Sequence, residues 1–304
     1  MERPPQLPPT VSVIVPVRND AAGLATLLPA LLAQSYPRQR VEILVVDNGS
    51  QDESRGLAER FAAAHPGTIR ALVEDRIASS YAARNAGLRA ATGQILAFTD
   101  ADCTPAPDWI AAGVRALQDT PADLAGGRVA FTLPPHPSAA ALHDAITNLR
   151  TAHTITTQGS AATANLFVRR QVVEALGPFP AHLRSGGDAI WTHRATVAGH
   201  TLVYAPDAVV IHPPRELKPL LRKCARVGRG QPAVWRELGY TLGRAALALL
   251  GGLRPPSPRR LRAMAAERDI VLTRRQMVAV WGVAWLCSMA STWGRLLGYW
   301  ARGW

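Results

Sequence analysis

Apolar residues along the first hundred positions come in short blocks separated by polar turns, and the blocks switch between two periods. Residues 11–17, VSVIVPV, are a β-branched apolar run that predicts a buried strand. Residues 20–35 carry Leu24, Leu27, Leu28, Leu31 and Leu32 at helical spacing. A second strand, VEILVV at 41–46, runs into the polar turn DNGSQDES at 47–54. A helix over 53–64, a strand near 69–73, a helix over 80–91 and the strand QILAFTD at 94–100 continue the rhythm. Alternating strands and helices of this kind predict an α/β fold, with a mostly parallel sheet covered by helices.

The pattern loosens afterwards. A helix over 105–119 and a strand over 124–133 are followed by 136–158, read as a helix or a mobile segment because Thr147, Thr151, Thr154, Thr156 and Thr157 weaken it. The span 165–177 is mixed. A helix begins after two glycines in GGDAIWTHRATVAGH at 186–200, and 201–213 reads as one or two strands broken by Pro206. Residues 217–250 read as helices interrupted by GRGQP at 228–232, and 251–262 as a loop leading to a basic helix start. From Gln276 to Gly294 there are 19 residues with no formal charge. A membrane span needs about 20 mainly apolar residues. Gly282, Ser288, Ser291 and Thr292 make this run borderline, and an interfacial helix or helical hairpin lying on the bilayer is favoured over a clean span.

Charge sharpens this division. The 304 residues carry a net charge of +12, yet residues 1–214 hold 17 Lys+Arg against 18 Asp+Glu, while residues 215–304 hold 17 against 4. Trp281, Trp285, Trp293, Trp300 and Trp304 also crowd into the last 24 residues. Arginine with interfacial tryptophan suits an anionic membrane surface. Such charge would also attract nucleic acid, and a proteome rich in arginine would show the same bias without any partner. Three cysteines, Cys103, Cys224 and Cys287, cannot form a disulfide framework and lack metal-ligand spacing, so a reducing compartment is expected. The lead MERPPQLPP has no apolar core of a secretory signal.

In an open parallel sheet the chemistry gathers at the carboxyl ends of the strands. Val15 to Asn19, Asp47 to Ser50 and Asp100 to Asp102 fall there. Asp100 and Asp102, on alternate residues, point to opposite sides, so one can reach a divalent ion while the other orients a polar ligand; a solvated turn is the plainer alternative. Asp47 can accept from a base or ribose, or cap its own turn. Asp188 can serve as a general base or as a helix N-cap. Arg84 can contact phosphate or lace a helix surface with Asn85, His212 is a candidate ligand among eight histidines, and Arg226 and Arg229 are natural diphosphate contacts or general surface charge. Neither the Rossmann glycine fingerprint nor a Walker A motif follows the first strand.

Taken in order, VSVIVPVRN, VVDNGSQD, AARNAGLRAATGQILAFTDAD, TANLFVRR and GGDAIWTHRATVAG resemble a family 2 glycosyltransferase of the GT-A fold, over roughly residues 10 to 215. The resemblance divides the chain into a proline-rich lead (1–10), a catalytic domain (11–215) and a basic, Trp-rich helical appendage (216–304). It implies a nucleoside-diphosphate sugar donor, with UDP-sugars favoured and GDP- or dTDP-sugars as alternatives. Pro16, Val17 and Asn19 would lie near the nucleoside, Asp47 would face the base, Arg84 would hold the nucleotide, and Asp100 would approach the ribose. Asp102 and His212 would hold Mg2+ or Mn2+, with Arg226 and Arg229 on the diphosphate. Asp188 would be the catalytic base of an inverting transfer, and Asn165, Gly187 and Trp191 would line the acceptor side.

Departures from the family pattern narrow this. Asp47-Asn48 and Gly187-Asp188 stand where many relatives carry two acids, and the base candidate survives both changes. The Gln-x-x-Arg-Trp signature of processive synthases is absent, with KCARVGRGQ at 223–231 at most a remnant, which argues for adding one or a few sugars. The basic tail points to a lipid, lipid-linked saccharide or small hydroxyl acceptor, met at the cytoplasmic face of the membrane by peripheral or monotopic attachment or one short hydrophobic segment. No nucleic-acid partner is expected, and a homodimer formed through the tail is the alternative use of that region. A nucleotidyltransferase is the enzymatic runner-up, and a noncatalytic membrane or nucleic-acid binder the non-enzymatic one.

Overall fold

The computed structural model describes residues 7–239, 249 and 252–300. The first six residues of the proline-rich lead, most of 240–251 within the expected helical span, and Trp304 lie outside the described residues. The chain divides into two compact units. One comprises 1–130, 151–182 and 191–212, and the other 131–150, 183–190 and 213–304.

The first unit holds an eight-stranded sheet of order β3-β2-β1-β4-β7-β6-β8-β5. Strands β1 (Val11–Val17), β2 (Val41–Asp47), β3 (Ile69–Val73) and β4 (Ile95–Thr99) are mutually parallel. They are joined by helices α1 (Ala21–Leu32), α2 (Ser54–Ala64) and α3 (Ser80–Ala90). The rest of the sheet is β5 (Thr104–Pro105), β6 (Leu124–Phe131), β7 (Asn165–Arg169) and β8 (Leu202–His212); β7 runs antiparallel to both β4 and β6, and β8 runs antiparallel to β5. The sheet is therefore mixed, with its parallel half where the apolar runs are continuous. That continuity reflects burial on both faces: all seven residues of β1 are buried.

Helix α1 shows how the pattern becomes packing. Leu24, Leu27, Leu28 and Leu31 recur at i, i+3, i+4 and i+7, and all four are buried, each contributing about 2 kcal/mol of transfer free energy. Asp20 starts the helix by accepting from the Gly23 N–H at 3.1 Å. The helix expected from 105 begins later, at Trp109, as α4 (Trp109–Gln118), because Thr104–Pro105 is taken up as β5. The span 136–158 resolves into α5 (Ala139–Thr147) and α6 (Thr151–Gln158); Ser138 caps α5, and its threonine-rich neighbour α6 is the more exposed of the two. The mixed 165–177 segment is β7 followed by α7 (Arg170–Leu176), and α8 (Gly187–Val197) follows. Strand β8 is unbroken, because Pro206 is exposed and lies away from the Val210–Ile211 stretch that pairs with β5.

The second unit is helical. Helices α5, α9 (Leu217–Glu237), α10 (Pro258–Ala266) and α11 (Arg274–Trp300) share apolar clusters built on Ala140, Leu220, Val283 and Cys287, and on Leu142, Ile146, Ala265 and Val280. Asp144 of α5, 1% exposed, accepts from the Arg215 backbone N–H at 3.0 Å and meets the Lys223 ammonium at 3.5 Å. The expected break at 228–232 does not occur, and α9 runs straight through GRGQP. Its glycines are contact surface: a Cβ at Gly228 would strike the Ser291 carbonyl oxygen of α11, and one at Gly294 would strike the Ala225 carbonyl oxygen of α9. Small residues let two helix backbones approach, and that packing outweighs the roughly 1 kcal/mol helix penalty of each glycine. The expected loop 251–262 contains the start of α10, with Ser257 as N-cap and Pro258 at its first position.

Candidate functional site

The carboxyl ends of β1, β2 and β4 lie together because these strands are parallel neighbours. The β1–β4 ladder ends at Ile14↔Phe98, so Pro16, which has no N–H to donate, lies beyond it, and Val17 pairs with Asp47 of β2 alone. Asn19 takes up a left-handed backbone (φ 53°) just past β1; its amide N–H donates to Ser50 Oγ at 3.0 Å and its Oδ1 accepts from the Gln51 N–H at 2.7 Å. Asp47, buried, accepts from the N–H groups of Gly49 and Ser50, both at 3.2 Å, in a turn that Gly49 makes affordable with φ 72°. Asn48 holds the next loop by donating to the carbonyls of Glu74 and Ile77 at 2.6 and 2.9 Å. The first two strand ends thus form one rigid hydrogen-bonded rim.

After β4 the two acids diverge. Asp100 pairs with the buried Arg84 guanidinium of α3, which also lies 5.7 Å from the centroid of Tyr81. The Arg84 Nε is buried with no hydrogen-bond partner, so this guanidinium has an unused donor. Asp102 turns to His212 at the end of β8, with His212 Nε2 3.3 Å from Asp102 Oδ2. The imidazole side chain is 2% exposed and the carboxylate 33%, so a buried nitrogen backs a carboxylate that opens to solvent. Cys103 beside them is held well above the ordinary thiol range, first by burial and then by the charges of Asp100 and Asp102.

Carboxylate oxygen and imidazole nitrogen are suitable donors for Mg2+ or Mn2+. Adjacent ligands on an octahedral ion bound at about 2.1 Å stand about 3 Å apart, close to the Asp102–His212 separation. Among the described residues no group of three or more His, Cys, Asp or Glu is placed to hold a metal. The pair therefore fits an ion whose remaining ligands come from a bound phosphate and water.

Asp20 belongs to this neighbourhood and was not singled out from the sequence. Its carboxyl is pushed up, mainly by burial, with the charges of Asp102 and Asp52 adding to it against the Gly23 N–H. Its signal was its place immediately after Asn19 at the end of the first strand.

Two residues expected on the acceptor side have other work. Asn165 is 1% exposed; its Oδ1 accepts from Trp109 Nε1 at 2.9 Å, and its Nδ2 donates to the carbonyls of Ala208 and Arg128 at 2.8 and 2.9 Å. Trp191 is fully buried, donates to the Gly177 carbonyl at 2.9 Å and packs 4.8 Å from the Phe179 ring centroid. Both are core residues, and neither presents a polar atom to a substrate.

The remaining candidates lie in the second unit. Gly187 and Asp188 form the first turn of α8, where a carboxylate meets the positive end of the helix dipole; Asp188 is half-buried and accepts from the Ala189 N–H at 3.0 Å. Asp188 is thus inside the first turn and not its N-cap. Arg226 and Arg229 of α9 line a cavity together with Arg184, which the sequence pattern did not single out.

Comparison with known proteins bears on this arrangement. The family described as Glycosyl transferase family 2 matches residues 12–173. The chain is 43% identical over 291 residues to Glycosyltransferase AglE of Haloferax volcanii, covering 95% of each chain. It is 30% identical over 260 residues to the Pre-mycofactocin glycosyltransferase of Mycobacterium tuberculosis, covering 82% of this chain and 53% of that one. Among solved structures, mannosyltransferase PcManGT from Pyrobaculum calidifontis in complex with GDP-Man and Mn2+ matches with a TM-score of 0.66 at 24% identity, over 98% of this chain and 89% of its own. S. aureus TarS 1–349 in complex with UDP-GlcNAc matches with a TM-score of 0.55 at 16% identity, over 97% and 92%. At these identities the two structures speak for the GT-A fold.

Proposed function

The chain belongs to glycosyl transferase family 2, and on that premise we propose that it moves a sugar from a nucleoside-diphosphate sugar to a hydroxyl acceptor, with inversion and with a divalent metal. The observation that carries this reading is the Asp102–His212 pair beside the Arg84–Asp100 pair at the carboxyl edge of the parallel strands. The GDP-Man and UDP-GlcNAc carried by two fold neighbours support the donor class, and the Mn2+ of one supports the metal.

In this reading the Asn19 and Asp47 rim takes the nucleoside and the Arg84–Asp100 pair fixes the ribose and diphosphate. Asp102 and His212 hold Mg2+ or Mn2+, which when bound offsets the charge that builds on the departing diphosphate. Asp188 accepts the proton of the acceptor hydroxyl as that oxygen bonds to the anomeric carbon. The bond from that carbon to the diphosphate oxygen breaks on the opposite face, and its electron pair leaves with the nucleoside diphosphate.

The second unit supports a membrane-associated acceptor. Helix α11 is long and apolar enough to cross a membrane by length and composition. Its exposed residues Val278, Trp285, Met289, Trp293, Leu296 and Trp300 fall on one face, opposite Val280, Cys287 and Gly294, which are buried. Packed along it, α9 exposes Lys218, Arg222, Arg226 and Arg229 at i, i+4, i+8 and i+11. A spanning α11 would draw these cations into hydrocarbon at about 3 kcal/mol each, so α11 lying in the interface is the favoured geometry. Cys103, Cys224 and Cys287 are all free, in keeping with the cytoplasmic face.

Nuclear magnetic resonance of the product tests the chemistry. The anomeric configuration of the transferred sugar is expected to be opposite to that of the donor, and Asp188→Asn is expected to stop transfer. Retained configuration would contradict the proposal.

A further inference from the structure

The second unit contains a cavity of about 400 Å³ between α9 and α11, lined by Arg184, Arg226, Arg229, Gly230, Leu297 and Gly298 among others. All three arginines are exposed, and none has a hydrogen-bond or ion-pair partner among the described residues. Three arginines lining one cavity without a counter-charge leave it cationic, and a bound anion offsets that charge. Two of the lining glycines are close-packed positions that fix the walls: a Cβ at Gly230 would strike Ser185 Oγ, and one at Gly298 would strike the Arg229 carbonyl oxygen. The remaining wall is apolar and continues outward, since Leu297 is 39% exposed and lies one helical turn from both Trp293 (62%) and Trp300 (86%).

A cationic floor that runs into an exposed Trp/Leu stripe matches a ligand with an anionic head and an apolar body. We propose that this cavity holds the phosphate or diphosphate headgroup of a membrane-anchored lipid that carries the acceptor. Charge complementarity selects the headgroup and continuity with the α11 stripe selects a lipid over a soluble phosphate. The volume exceeds the roughly 300 Å³ at which cavities begin to take small molecules, leaving room beside the phosphate. This deepens the acceptor side of the proposed transfer and rests on that reading. It also moves Arg226 and Arg229 from the donor diphosphate, where the sequence resemblance put them, to the acceptor.

The test is vesicle flotation of the full chain with no nucleotide sugar present. Phosphatidylcholine vesicles doped with a long-chain alkyl phosphate are compared with vesicles doped with the matching alcohol and with phosphatidylserine vesicles of equal surface charge. Wild type is expected to bind the alkyl phosphate vesicles more tightly than either. Arg184→Gln and Arg226→Gln are each expected to weaken that binding about fivefold, and the double variant R226Q/R229Q to remove the increment while still binding phosphatidylcholine like wild type. Matched melting temperatures confirm that the exposed substitutions leave the fold intact. Equal binding to alkyl phosphate and phosphatidylserine, or variants that bind alkyl phosphate like wild type, would overturn the site.

A parallel titration with UDP and GDP in Mn2+ is expected to give the same affinity for wild type and the double variant. Loss of nucleotide affinity with vesicle binding unchanged would return the arginines to the donor and overturn the proposal. Flotation needs no turnover, so a protein that transfers sugar but fails it loses this site alone. One that passes but turns over no donor loses the transfer reading alone.

Discussion

His212, at the end of β8, places its Nε2 3.3 Å from Asp102 Oδ2, three residues past β4. One partner is buried and fixed and the other opens to solvent. On the proposed reading, this buried imidazole behind a carboxylate would form part of the shell of a divalent cation. Asp102→Ala and His212→Ala are each expected to lower kcat/KM about a hundredfold or more, with Mn2+-dependent donor binding weakened in parallel. Calorimetric titration of donor with and without Mn2+ checks this; metal-dependent binding that survives both variants would remove the pair from the metal site.

Arg84 contributes differently, since its guanidinium is locked between Asp100 and the Tyr81 ring. Arg84→Ala removes the guanidinium that pairs with Asp100. Donor KM is expected to rise about tenfold, with a smaller change in kcat. Arg84→Lys keeps the charge without the planar fork and is expected to recover only part of the loss. Steady-state kinetics separates the two parameters.

Asp188 is the proposed base, and its loss should appear in kcat. Asp188→Asn is expected to reduce kcat by about a hundred- to ten-thousandfold while donor binding is kept. A fall in donor affinity with kcat unchanged would assign this carboxylate a binding role.

Asn165 makes a contrasting prediction, because three groups depend on its amide. Asn165→Ala strands Trp109 Nε1 and the Arg128 and Ala208 carbonyls, and is expected to destabilise the protein by about 3 kcal/mol or more in urea unfolding. Activity of the folded fraction should change little. An intact unfolding midpoint with raised acceptor KM would restore Asn165 to the acceptor side.

His143 gives stability a pH dependence. Burial, aided by Lys223 and opposed by Asp144, lowers its pKa to about 4, and its Nδ1 is buried without a partner. The unfolded chain binds this proton more readily, so folding stability is fully present above the ordinary histidine pKa of about 6.5 and falls as pH drops from there toward 4. The contribution is of the order of 3 kcal/mol across that window. Urea midpoints at pH 7 and pH 4.5 are expected to converge for His143→Gln relative to wild type.

The parallel half of the sheet was legible in the sequence because its strands are continuous apolar runs ended by polar turns, as with VSVIVPV and VEILVV. The strand-end acids followed from that reading. The meeting of Asp102 with His212 came from family likeness, since nothing in local spacing joins β4 to β8. Helix α9 was misread for a physical reason: Gly228, Gly230 and Pro232 look like breakers, and only the α11 backbone lying against Gly228 shows that they make a contact surface. Asn165 and Trp191 turn out to be buried, which their residue types alone did not reveal, because an amide and an indole serve a core as well as a ligand. Arg184 had no local signal, since tertiary packing alone brings it to Arg226 and Arg229.

Release of nucleoside diphosphate from a panel of UDP-, GDP- and dTDP-sugars, with and without Mn2+, by the full chain in mild detergent tests the central claim most directly. Wild type is expected to consume one donor class only when metal is present, and Asp102→Ala to consume none. Consumption that ignores metal, or that survives Asp102→Ala at the wild-type rate, would contradict the account.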